Sequence, residues 1–386
     1  MIAIRNAKVF PVSGDPIERG EILIQDGRFV AVGKDLPVPG DARVIDAEGL
    51  CAVPGLIDAH THVGVTGEIL GPRFQDNNEN LQPLQPHLRI LDGIWHEDPA
   101  FSEILRAGVT SVWICPGSVN VFGGVGVAVK TRPGPLDGRV IDGTGGMKMA
   151  FGENVTRVHY GGERYPGTRM GVAALARRAL FDARRYGDDL AKGRDRKPDF
   201  MLEALLPLLE KRMKARVHAH RSDDILTAVR IGGEFGLDLV IEHGTEGYRV
   251  REVLADRGVP VVAGPHLGGR SKPEVARRKL ANVARLHEKG IRVAIMTDGA
   301  SAVRFLPIHA AIAVREGLPF EAALKAITLD AARIIGAGER LGSIEPGKDA
   351  DLVLLPGGNP LDVMVKPKRV FVDGECLYKE SREDEG

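Results

Sequence analysis

His60-Thr61-His62 closes an apolar run that begins at Ala52. Side chains two apart in a strand share a face, so both imidazoles point the same way and can hold one divalent cation. The pattern recurs in Arg216-Val217-His218-Ala219-His220. A third run, Val240-Ile241-Glu242, ends in His243 and then Gly244, which lets the backbone turn at once. A fourth, Ala294-Ile295-Met296-Thr297, ends in Asp298, a carboxylate able to hydrogen-bond a metal-bound water. Lys148 stands in Gly146-Met147-Lys148-Met149-Ala150, where an ammonium is costly to bury charged. Reaction with carbon dioxide would convert it to a carbamate, an anionic oxygen ligand able to bridge two metals. Lys130, after Val127-Ala128-Val129, is the competing lysine, and the third option is that no lysine is a ligand.

A divalent cation lowers the pKa of bound water to near neutrality. Asp298 would orient that water, take its proton and pass it to a leaving amine. A second metal, or a histidine such as His220, would polarise the carbonyl. Hydrolysis of a C–N bond at a carbonyl fits this set. The Gly-x-Ser-x-Gly pattern of serine hydrolases is absent. The glycine-rich stretches 123–126 and 143–146 lack the Gly-Lys-Ser/Thr of a phosphate loop and read as tight backbone near the site. His266, after Val261-Val262-Ala263-Gly264-Pro265, is a candidate substrate contact.

These residues need strands to carry them. Strand patterns cover Leu56–Ala59, Thr110–Ile114, Val125–Lys130, Gly146–Ala150, Arg216–His218, Leu239–Glu242, Val259–Ala263 and Arg292–Met296. Eight strands alternating with helical segments predict an α/β barrel with helices outside. The helical segments are Ser102–Ala107, Met170–Tyr186, Asp199–Ala215 (kinked at Pro207), Asp224–Glu234, Tyr248–Arg257, Lys272–Lys289, Ile308–Glu316 and Pro319–Ile335. Asp188–Lys197 is charged and reads as a solvated connection, and residues 65–100 as a lid or substrate wall. Alternating patterns before residue 54 and after residue 342, with an Asp26-Gly27 hairpin signal, predict one composite β-sandwich domain from both chain ends. The expected division is 1–53 plus 343–386 for that domain and 54–342 for the barrel.

The chain of 386 residues is long enough for both, and its formal net charge of zero offers no basic field for nucleic acid or an anionic membrane. Its three cysteines lie far apart in apolar settings, which suits free thiols in a reducing compartment. No apolar stretch is long enough to span a bilayer, and no signal-peptide pattern opens the sequence. A cytoplasmic enzyme with a small-molecule substrate is expected, and a homo-oligomer is compatible with it.

Pro54-Gly55-Leu56-Ile57-Asp58-Ala59-His60-Thr61-His62 resembles the first-strand signature of the amidohydrolase superfamily of metal-dependent hydrolases. Gly342-Ser343-Ile344-Glu345-Pro346-Gly347-Lys348-Asp349-Ala350-Asp351 is similar to its re-entry into the β domain. With the central motifs, the resemblance covers nearly the whole chain and is nearest the imidazolonepropionase-related branch, which holds prolidase-like dipeptidases. It implies a distorted (β/α)8 TIM barrel with a composite β-sandwich and one or two divalent metals, zinc being expected. On this resemblance His60, His62, His218 and His243 are metal ligands and Asp298 is both ligand and acid/base. Lys148 matches the carbamylated fourth-strand lysine, with Met147 where the family has a β-branched neighbour. His220 would lie near the substrate. Deaminase-like and imidazolonepropionase-like relatives carry glutamate three residues after the fifth-strand histidine, where this chain has Arg221. Arg221 could instead fork onto a substrate carboxylate, or pair with Asp223 or Asp224. Hydrolysis of an amide or peptide-like bond is therefore the leading expectation. The alternatives are a deaminase or cyclic-amide hydrolase, and a non-catalytic scaffold that kept the barrel.

Overall fold

The computed structural model describes residues 1–67, 75–162 and 164–380, so parts of the 65–100 and 151–168 loops lie outside the described residues. Its strands are β1 (Ile2–Val9), β2 (Ile17–Gln25), β3 (Arg28–Gly33), β4 (Arg43–Asp46), β5 (Leu50–Pro54), β6 (Leu56–Thr61), β7 (Val109–Ile114) and β8 (Phe122–Lys130). There follow β9 (Gly146–Ala150), β10 (Lys214–Ala219), β11 (Leu239–His243), β12 (Val261–Ala263), β13 (Val293–Ile295), β14 (Leu352–Pro356), β15 (Arg369–Val372) and β16 (Glu375–Lys379).

Strands β6 to β13 form one sheet in chain order, the eight runs read from the sequence. Small and β-branched residues suit them, since both faces are buried. Ala59, Trp113, Val240, Val262, Ala294 and Met296 fill the interior. Val217, Ile241, Val261 and Ile295 on the other faces pack with helix residues such as Leu180, Ile225 and Leu286. Each fully buried Val, Ile or Leu contributes about 1.5–3 kcal/mol.

Closure between β13 and β6 is made by side chain and loop rather than by a strand ladder among the described residues. The Asp58 carboxylate accepts from the Thr297 amide (3.1 Å) and hydroxyl (2.7 Å). The Ile57 amide donates to the Ile327 carbonyl at 2.8 Å. That carbonyl is released because the predicted 319–335 helix breaks into Phe320–Ala326 and Leu329–Ile335.

The barrel departs from strict alternation at one place. β8 is antiparallel to both β7 and β9, with no α-helix between them and only the 3-10 turn Leu136–Arg139 on the way to β9. Its carboxyl end therefore points away from the carboxyl ends of its neighbours. This overturns Lys130 as a candidate ligand: its ammonium lies 2.8 Å from Asp351, 3.0 Å from Asp373 and 3.2 Å from Asp349.

Both chain ends share a second eight-stranded sheet, ordered β16-β15-β14-β5-β1-β2-β3 with β4 beside β1. Ile4, Ile22, Phe29, Leu352 and Phe371 form its core. Helices differ from the reading in particulars. Asp188–Lys197 begins inside a helix that runs Arg169–Ala191, and the buried Asp189 accepts from Arg194 and Arg196. The Asp199–Ala215 segment stops as a helix at Leu209, and Lys272–Lys289 is helical only over Asn282–His287 apart from a short 3-10 turn. A helix at Glu153–Gly161 was not foreseen. No helix among the described residues is long and apolar enough to cross a membrane.

Candidate metal centre

Each predicted ligand stands at or just beyond the carboxyl end of a barrel strand, except Lys148, which sits in the middle of β9. His60 belongs to β6 and His62 follows it; His218 belongs to β10 and His220 follows it; His243 ends β11; Asp298 follows β13. His243 (φ 67°) and Asp298 (φ 64°) both hold left-handed backbone, as does Gly244 at φ 50°. For residues with a Cβ this costs about 1–3 kcal/mol, and such strain clusters at functional sites.

The seven side chains converge. Asp298 Oδ1 lies 3.4 Å from His60 Nε2, 3.6 Å from His62 Nε2 and 3.8 Å from His243 Nε2. Two nitrogen or oxygen donors on one tetrahedral zinc are about 3.3–3.4 Å apart, so this spacing suits ligands of one ion. The rings of His218, His220 and His243 lie 4.4–4.6 Å apart. Lys148 Nζ is 3.1 Å from His60 Nε2. Asp298 is one-third exposed, which keeps it within reach of solvent and substrate.

The far nitrogens are tied down. His60 Nδ1 meets Glu242 at 2.6 Å, His62 Nδ1 meets the Cys115 carbonyl at 2.8 Å, and His243 Nδ1 meets the Gly264 carbonyl at 3.1 Å. Acceptors at those positions place the proton on Nδ1 and turn the Nε2 lone pair to the centre. His220 Nδ1 meets the Thr245 hydroxyl at 2.7 Å. His218 is the exception, with a buried Nδ1 that has no hydrogen-bond partner. An orphaned nitrogen beside two other imidazoles is what a cation would satisfy, so the residues present fit a metal.

Electrostatics agree. Burial raises the Asp298 carboxyl, but His243, His62 and His60 outweigh it and hold the group well below the usual carboxylate range. Burial drives His218 and His243 well below 6.5; His220 and Lys272 add to it at His218, while Asp298 opposes it at His243 without overcoming it. Against burial, Cys115 and Asp298 raise His62 to about 10, so this corner draws positive charge.

Beneath the centre lies a support that the sequence reading did not name. Glu242 accepts from Arg216 as well as pairing with His60, and Arg216 also donates to the Ala59 carbonyl at 2.8 Å. The Arg216 guanidinium stacks on Trp113 at 3.8 Å. A Cβ at Gly126 would come within 2.7 Å of the Trp113 ring, and one at Gly146 within 2.9 Å of both Trp113 and Arg216. Those glycines are the tight backbone expected near the site. Burial raises the Glu242 pKa, but Arg216 and His60 bring it down to about 2. The available signal was a pair of opposite charges, Arg216 and Glu242, inside otherwise apolar strands.

A cavity of about 330 Å³ opens onto His62, Lys148, His218, His220, His243 and Asp298. Asn77 and Asn78 line it, so the 65–100 loop supplies part of the wall. Lys272 also lines it and pairs with buried Glu274 at 2.6 Å, which lies 3.6 Å from His220 Nε2. A larger cavity, about 920 Å³, lies between helix Ala100–Arg106 and β16 and contains none of these residues. Of the partners left open for Arg221, the local one is paired here: it forks onto Asp223 at 2.9 and 2.7 Å, outside the lining of the 330 Å³ cavity. The two are neighbours in sequence, so the local pair forms. His266 lines a small adjoining cavity that shares His243, Thr245, Gly264, Pro265 and Arg278 with the 330 Å³ one, and its amide donates to His309 Nδ1 at 3.1 Å.

The amidohydrolase family profile matches residues 197–376. The crystal structure of an amidohydrolase from Thermotoga maritima MSB8 is 40% identical, with 98% of this chain and 100% of that one covered at a TM-score of 0.94. Amidohydrolase tasK of Hapsidospora irregularis is 29% identical over 93% of this chain, which spans only 40% of tasK. A 5-methylthioadenosine/S-adenosylhomocysteine deaminase of Moorella thermoacetica is 27% identical over 93% of this chain and 86% of its own length. The chain belongs to the amidohydrolase family, whose members hydrolyse carbon–nitrogen bonds.

Proposed function

We propose that this metal-dependent hydrolase cleaves an amide or peptide-like C–N bond of a small substrate, with Asp298 as general acid/base. The observation that carries the reading is the single Asp298 oxygen facing the Nε2 atoms of His60, His62 and His243 at 3.4–3.8 Å. In this reading His60, His62, His218 and His243 hold one or two divalent ions, zinc being the expected one. When bound, such a cation brings the pKa of water toward neutrality and polarises a carbonyl. Asp298 accepts the proton of the attacking water and delivers it to the leaving amine. His220, which lines the cavity, would contact the carbonyl oxygen in this reading. Lys148 takes up carbon dioxide at Nζ, forming an N–C bond and releasing a proton, and so becomes an anionic oxygen donor beside His60.

The same reading puts the substrate in the 330 Å³ cavity and assigns residues 54–342 to the catalytic domain, with 1–53 and 343–386 forming the other. Cys51, Cys115 and Cys376 are all free thiols, which supports the cytoplasm as the location.

The test is a panel of dipeptides, N-acyl amino acids, cyclic amides and aminated heterocycles, assayed before and after chelation and after zinc is restored. Amide cleavage that vanishes with chelation and returns with zinc is expected. Ammonia release from the heterocycles alone would assign deamination instead, and turnover unaffected by complete metal removal would refute metal dependence.

A further inference from the structure

Cys115 is the residue after β7, fully buried, at the same barrel end as His60 and His62. Its Sγ lies 3.5 Å from His60 Nε2 and 3.3 Å from Lys148 Nζ. The donor atoms of His60, His62 and Cys115 all lie within 4.8 Å of one another. A nitrogen at about 2.0 Å and a sulfur at about 2.3 Å from one tetrahedral zinc are about 3.5 Å apart, the separation found here.

Without a cation this corner is held by hydrogen bonds: Lys148 Nζ reaches His60 Nε2 at 3.1 Å and Cys115 Sγ at 3.3 Å, and the Cys115 thiol can donate to His60 Nε2 or to the Thr61 carbonyl at 3.8 Å. His60 Nδ1 is committed to Glu242, so Nε2 offers one lone pair. That lone pair faces Asp298 Oδ1 at 3.4 Å and Cys115 Sγ at 3.5 Å, both electron-rich atoms. Once the thiol is deprotonated, His60 Nε2, Asp298 Oδ1 and Cys115 Sγ would be three electron-rich atoms facing one another, an arrangement that a cation among them stabilises. The Lys148 Nζ contacts end at His60 and Cys115 and do not extend to Asp298.

Resting on the metal-dependent reading above, we propose that Cys115 is a sulfur ligand of the metal centre, sharing an ion with His60 and His62. The thiol loses its proton to solvent as the metal–sulfur bond forms. A thiolate adds negative charge and softness, so the centre should favour zinc, cobalt or cadmium over magnesium or manganese.

The experiment uses the full chain, stripped of metal and reloaded with cobalt(II). The wild type should show visible d–d bands together with a near-ultraviolet sulfur-to-cobalt charge-transfer band. Cys115→Ser should lose the charge-transfer band, keep the d–d bands and bind zinc at least about tenfold more weakly, the loss that even outer partners of a ligand cause. Cys51→Ser and Cys376→Ser should leave the spectrum unchanged. X-ray absorption on the wild-type zinc protein should show a zinc–sulfur shell, which keeps the question answerable if Cys115→Ser fails to fold. Intact d–d bands without charge transfer, or an absorption edge fitted by nitrogen and oxygen alone, would overturn the sulfur ligand and leave the metal-dependent reading standing. No cobalt binding at all would overturn both.

Discussion

Replacing Asp298 by asparagine keeps the size of the side chain but removes the base, so the two roles of this residue separate cleanly. Turnover should fall by about 10²–10⁴-fold. Metal analysis should still find at least one ion per chain, because the four imidazoles remain; retained turnover would remove Asp298 from the chemistry. Glu242→Gln tests the support beneath His60. It breaks a charge-assisted 2.6 Å contact and leaves Arg216 without its carboxylate, so metal affinity should fall about 10–100-fold by competition titration, with little change expected if Glu242 only fills space. At this scale the sequence was informative where alternation alone decides geometry, as in His60-x-His62 and His218-x-His220. It was less so for Cys115 and Glu242. A cysteine after Val112-Trp113-Ile114 reads as an inert buried thiol, and only the approach of β6 and β9 gives it neighbours. For Arg221 the sequence leaves a substrate carboxylate and a nearby aspartate both open, and the partner two residues away is the one it pairs with here.

All eight barrel strands were legible as elements, because runs buried on both faces must be apolar from end to end. Their directions were not. Nothing local in Phe122–Lys130 shows that β8 runs against its neighbours; antiparallel pairing goes with connections on both sides that carry no α-helix crossover. The seam shows the same dependence on tertiary contact. Thr297→Val removes a 2.7 Å bond to buried Asp58 and should destabilise the fold by about 1–3 kcal/mol in urea unfolding; no change would mean the seam is held elsewhere. A second effect belongs to the loop after β12 and the helix Leu306–Arg315. Burial lowers the pKa of His309 to about 4, and that of His266 to about 3. Both stay neutral in the fold while the unfolded chain protonates near 6.5, so the unfolded state binds more protons between these values. Stability should therefore fall as pH drops from about 6.5 to 4, by about 3 kcal/mol for His309 alone. His309→Gln should flatten that slope in urea titrations across this range, and an unchanged slope would assign the acid sensitivity to other groups.

For the molecule as a whole, the two sheets meet at a buried charge cluster. Lys130 at the end of β8 serves Asp349, Asp351 and Asp373, which all belong to the terminal segment. Lys130→Met would strand these carboxylates and should cost about 3–5 kcal/mol of stability. Metal content should not change, whereas Lys148→Met should lower it; the reverse pattern would return Lys130 to the centre. That both chain ends share one sheet was legible from matching patterns, yet the contact of Lys130 with that sheet depends on the reversal of β8. The proposed cation would lie between β6, β11 and the end of β13. Anomalous diffraction from crystals at the zinc edge would locate it. A peak within about 2.3 Å of His60 Nε2, His62 Nε2 and Asp298 Oδ1 is expected. Fully zinc-loaded crystals whose peaks all lie elsewhere, with these side chains in place, would contradict it.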